Sequence, residues 1–138
     1  EEKQAARLSR ILKLLGDAGY FRVVLIHHPP NAELQHPSFG LKGHRIFRRV
    51  ITEQGAELVL HGHTHRSSIH HIPGKNHEVP VIGVAAASAA QGGTLDDPAR
   101  YNLFRIEKSG EEWRCTMREY GFQRLGADIV MRMQMRIY

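Results

Sequence analysis

The strongest constraint on this chain is one pattern that occurs twice: a short apolar, β-branched run that stops on histidines. Phe21 to Ile26 (FRVVLI) runs into His27, His28, Pro29 and Pro30, and Glu57 to Leu60 runs into His61, Gly62, His63, Thr64 and His65. Between them, His44 to Gln54 places Ile46, Phe47, Val50 and Ile51 on one side and Arg45, Arg48 and Arg49 mostly on the other, which predicts an amphipathic helix ended by Gly55. Two short buried strands joined by a helix are normally parallel neighbours with a right-handed connection. Both histidine loops then leave the sheet at one carboxyl edge, where open α/β sheets hold ligands. This topology brings His27 or His28 towards His63 and His65. Residues two apart in an extended strand share a side, so His63 and His65 are expected to serve one place or two adjacent ions.

The remaining segments build around this unit. Leu8, Ile11, Leu12 and Leu15 form one stripe of a helix over Lys3 to Leu15, with Gly16 at its C′ position. Asn31 to Gly40 reads as a polar loop. Beyond Arg66 the pattern turns to plain β: SSIHHI, a turn cluster from Pro73 to Asn76, then EVPVIGV. A second hairpin pairs YNLFRIEK with EWRCTMREY across Ser109 and Gly110, with Trp113, Cys115 and Met117 on one face. The tail, 126–138, is open between a strand and an arm that docks on a partner. The whole, 1–138, is expected to be one domain portion of class α/β.

Composition narrows the function. A hydrophobic fraction of 41% and a charged fraction of 24% suit a globular chain, and no apolar run approaches a bilayer span. The single cysteine, Cys115, excludes an internal disulfide and fits a reducing, cytoplasmic setting. A net charge of +5 suits an anionic partner, yet the basic residues are scattered without the aromatic interleaving of a single-strand binder, which argues against nucleic acid. All 10 histidines lie between His27 and His77.

VVLIHHPP followed by LVLHGHTH resembles the calcineurin-like metallophosphoesterases, in particular the branch of class III cyclic-nucleotide phosphodiesterases. The resemblance covers Val23 to about Val84. It implies the C-terminal half of a four-layer αββα sandwich, with two parallel strands and a crossover helix followed by β-hairpins. It further implies two divalent or trivalent transition-metal ions (Fe, Mn, Zn or Co), with His63 and His65 ligating different ions and His27 supplying a further ligand. His28, His61 and Arg66 are expected beside the ligands, with Arg66 and Arg45 as candidate phosphate contacts. The implied substrate is a phosphate ester such as a cyclic nucleotide.

The family's Asp-x-His, Gly-Asp and Gly-Asn-His motifs do not occur in order. Asn76-His77-Glu78 imitates part of the third but follows the Gly-His-x-His stretch. Three histidines without a bridging carboxylate do not complete a dinuclear site. The chain alone is therefore expected to be inactive, with the first half supplied elsewhere. Two rival readings stand: a non-catalytic remnant or interaction module, and a mononuclear zinc protein using His27, His63 and His65.

Overall fold

The computed structural model describes residues 2–30, 42–94 and 96–138. The expected loop Asn31 to Gly40, with His36, lies outside them. The described chain forms two compact units, Glu1–His63 with Ile69–Ile82, and Thr64–Ser68 with Gly83–Tyr138.

The first unit contains α1 (Glu2–Asp17), β1 (Val23–Ile26), α2 (His44–Gln54), β2 (Leu58–His61) and, apart from the end residues Ser68 and Gly83, β3 (Ser68–Pro73) and β4 (Glu78–Gly83). Its sheet has the order β1-β2-β4-β3. The β1 and β2 strands pair in parallel, Val23 with Leu58 through Ile26 with His61, as the crossover helix predicts. The expectation for α2 matches residue for residue. The first helix runs past its expected stop: Gly16 is still helical and Gly19, at φ 74°, makes the left-handed exit. The second strand is shifted by one residue, beginning at Leu58 and taking in His61.

Alternation decides which face is buried. Val24 and Val59 join Leu12, Phe47, Val50, Ile51, Ile72, Val79 and Val81 in one apolar cluster, with Ala5, Leu8 and Ile26 packed against it. Ile51, Val59, Val79 and Val81 are wholly buried, and burying each such side chain is worth roughly 1.5–3 kcal/mol. The opposite parity of β1, Val23 and Leu25, is exposed.

A buried ion pair holds the helix ends to the strand starts. The Arg22 guanidinium donates to both Glu57 carboxylate oxygens, through Nε at 2.9 Å and Nη2 at 2.7 Å, while the Arg22 amide donates to Oε2 at 2.6 Å. Its Nη1 donates to the Leu12 carbonyl of α1 and the Gln54 carbonyl of α2, at 3.1 and 2.8 Å. Two glycines clear its seat: a Cβ on Gly16 would stand 2.5 Å from Nη1, and one on Gly55 2.9 Å from Nη2. This clamp has a sequence signal of its own, one opposite charge placed immediately before each of two parallel strands.

The second unit contains a sheet of β5 (Arg100–Ser109), β6 (Glu112–Phe122) and β7 (Ile129–Arg136), in that order and antiparallel. A two-residue turn joins β5 to β6, with Gly110 at φ 63°. Cys115 and Met117 are buried on one face and Trp113 half-buried with them, as the alternation predicts. The other face shows Tyr101, Leu103, Ile129 and Met131 to solvent, with Tyr101 stacked on Tyr120. The tail left open by its sequence is a strand. A bulge at Glu119/Tyr120 leaves Arg132 unpaired and returns Met133 to the buried parity. Among the described residues, no helix is long and apolar enough to cross a membrane.

Candidate metal centre

The parallel register positions the histidines. Ile26 faces His61 at the last pair of the ladder, and the next bond runs from the Gly62 amide to the His27 carbonyl, 3.1 Å. The two loops thus leave the sheet tied together, with His28 and His63 one step beyond the tie. Pro29 and Pro30, both fully buried, end β1 and anchor the loop that follows.

His27, His28 and His63 meet there. One ring nitrogen from each lies within 4.8 Å of the other two. The ring centroids are 4.9 Å apart for His27 and His28, 5.2 Å for His27 and His63, and 4.2 Å for His28 and His63. His27 is exposed and the other two half-buried, so the cluster opens to solvent.

The two histidines of the Gly-His-x-His stretch fall in different units. Both lie beyond the strand in left-handed backbone, His63 at φ 67° and His65 at φ 55°, so the parity that would put them side by side in a strand does not apply. Left-handed backbone costs an L-residue about 1–2 kcal/mol, though His is one of the types enriched there. His65 belongs to the second unit. There its Nδ1–H donates to Asp96 Oδ2 across 3.4 Å, which leaves Nε2 as the atom free for other chemistry. The neighbouring Asp97 fixes the same segment, its amide donating to the His65 carbonyl at 3.1 Å and its carboxylate accepting from the Ser67 amide at 2.8 Å.

His61 is buried at the end of β2. Its Nδ1–H donates to the Gly62 carbonyl at 2.9 Å, holding the glycine that bonds to His27. Burial pushes the His61 imidazole below its ordinary pKa; the bond to Gly62 opposes that, and His70 adds to the lowering. Arg66 is exposed in the second unit and Arg45 is exposed on α2 in the first. His71 is exposed while His70 is half-buried, so the two separate as consecutive strand residues must.

Three neutral imidazoles fit one transition-metal ion. In a tetrahedral site with bonds of about 2.0–2.1 Å, ligand nitrogens stand about 3.4 Å apart, which nitrogens lying within 4.8 Å of one another reach by closing at most about 1.4 Å. They do not fit two ions with a bridge, because the cluster found among the described residues contains no carboxylate.

No protein-family model and no curated protein matches this chain. Among solved structures it is similar to Vps29 of Entamoeba histolytica. A double mutant of that protein matches with 18% identity over 74% of this chain and 50% of that one, at a TM-score of 0.47. The wild-type protein complexed with zinc matches with 19% identity over 75% and 51%, at 0.48. The chain spans about half the length of both.

Proposed function

We propose that this chain is the histidine-bearing C-terminal portion of a calcineurin-like metallophosphoesterase, in which the full site hydrolyses a phosphodiester such as a cyclic nucleotide. One observation carries the reading: two parallel strands end side by side and bring His27, His28 and His63 within 4.8 Å at the carboxyl edge of the sheet. When bound, the metal polarises a phosphoryl oxygen and lowers the pKa of water so that hydroxide is available near neutral pH. The chain's own part is to present neutral imidazoles and hold the loops that carry them, through the Gly62 to His27 bond and the Glu57 to Arg22 clamp. Imidazole must lose its proton to bind, so metal affinity falls with acidification. Arg66 and Arg45 are the phosphate contacts that this reading offers, and an association through residues 126–138 would use the side of β7 turned away from β6. The single cysteine accords with a cytoplasmic place.

The second reading, a non-catalytic interaction module, is favoured by the lack of a carboxylate in the cluster. Hydrolysis of bis-p-nitrophenyl phosphate decides between them. The 138-residue chain with Zn²⁺ or Mn²⁺ is expected at background. The protein at its full natural length is expected to turn over and to lose at least about 100-fold on His63→Ala. Full-length protein that binds metal and stays at background for Zn²⁺, Mn²⁺, Fe²⁺ and Co²⁺ would falsify the catalytic reading.

A further inference from the structure

We propose that His27, His28 and His63 form a mononuclear site that takes one borderline transition-metal ion of the zinc or cobalt kind without any carboxylate. His28 is then a direct ligand, and His65 is not. The inference rests on the metal-binding part of the function proposed above, but not on catalysis or on a second ion.

Three observations carry it. The shortest of the ring separations is His28 to His63, 4.2 Å between centroids. Register produces that pair: beyond the bond from Gly62 to His27, the next residues of the two parallel chains are His63 and His28. The left-handed turn at His63 then takes the backbone out of the strand, so the alternation that would put His65 on the side of His63 does not apply. His65 is instead held within its own unit by Asp96, with its carbonyl and the Ser67 amide held by Asp97.

Donor type selects the ion. Imidazole nitrogens suit Zn, Co, Ni and Cu, whereas hard ions such as Mn and Mg want oxygens. Three protein nitrogens would leave one tetrahedral position without a protein ligand, the arrangement of an open rather than a closed zinc site, and the exposure of His27 accords with that. In the first unit Glu57 pairs with Arg22, Asp17 with Lys13 and Glu2 with Arg49, and neither these carboxylates nor Glu53 and Glu78 belong to the cluster found among the described residues.

The experiment is calorimetric titration of the 138-residue protein with ZnCl₂, with CoCl₂ absorption as the second readout. One ion per chain is expected, with tetrahedral cobalt bands. His28→Ala should weaken binding at least about 100-fold, more than the 10- to 100-fold typical of residues that only support a ligand. His65→Ala should change it by less than about 3-fold. His28→Cys should keep one ion and add a sulfur-to-cobalt charge-transfer band, which a residue that merely shapes the loop cannot produce. Circular dichroism confirms that each variant keeps its helices. Two ions per chain, or loss of binding on His65→Ala with none on His28→Ala, overturns the inference and leaves the metallophosphoesterase reading in place. No binding by the folded wild-type chain overturns this inference alone, because the full-length assay tests the other independently.

Discussion

Among the described residues each unit contains one largely buried arginine–glutamate pair, and the two pairs are built differently. In the first unit Arg22 and Glu57 meet through two side-chain bonds of 2.7 and 2.9 Å, and the remaining donor takes carbonyls from α1 and α2. In the second, Arg100 and Glu119 lie on neighbouring strands at 3.7 Å, and Arg100 Nη1 donates to its neighbour Ala99. Side-chain exposure is nearly the same, 11% and 8% against 12% and 11%. Burial does not separate them, but satisfaction does. A desolvated pair stabilises only where geometry and further bonds offset the loss of water, so the first pair should organise its unit and the second should scarcely matter. The first ties the carbonyls of α1 and α2 to the starts of β1 and β2; the second adds only to strands already held by a continuous ladder.

The largest effect should come from breaking that comparison directly. Arg22→Ala or Glu57→Ala is expected to cost about 3–5 kcal/mol, by stranding a buried charge. Arg100→Ala or Glu119→Ala should cost about 1–2 kcal/mol. Urea unfolding resolves the two regions, because both helices belong to the first unit and the single tryptophan, Trp113, to the second. Equal losses in the two units would remove the distinction.

A smaller effect sharpens it. Gly55 sits at φ 80° and ψ 161°, a region open essentially only to glycine, so Gly55→Ala should cost about 1–3 kcal/mol. Gly16→Ala should raise helix propensity by about 1 kcal/mol, yet its Cβ would stand 2.5 Å from Arg22 Nη1. A net loss of stability is expected in the wild-type background and a net gain in Arg22→Ala. A gain in both would show the clamp to be loose.

The smallest effect belongs to the second unit. Burial pushes the Cys115 thiol up to about 11 from 9.0. The folded chain therefore keeps its proton where the unfolded chain releases it. This contribution to stability is complete below pH 9 and falls as pH rises from 9 towards 11. In native protein at pH 8 the thiol should react with an alkylating reagent only at the rate of unfolding, as mass spectrometry against time would record. Rapid labelling would show the buried face of β6 to be open.

What the sequence disclosed depended on range. The two strands, α2 and the β5–β6 hairpin follow from local periodicity, which the parallel register and the turn at Gly110 bear out. The end of α1 was misplaced because Gly16, a residue that often ends a helix, serves instead to admit Arg22. The tail resisted reading because a bulge at Arg132 breaks its alternation, so Val130 and Met133 share a parity that simple counting denies. In the site, convergence of the two histidine loops was legible from topology. The division between His63 and His65 was not, since it depends on positive φ at two residues with side chains, and no residue pattern announces that. Asp96 and Asp97, some 30 residues distant in sequence, likewise carried no local sign of their bonds to His65 and Ser67.

The bond from Gly62 to His27 joins residues 35 positions apart. Its closure requires α2 and the whole crossover to be in place, and loop-closure entropy opposes such a contact until then. No fragment ending before β2 can assemble the three imidazoles. In refolding, metal capture by the three imidazoles therefore reports this long-range closure, and it is expected to lag the appearance of helical signal.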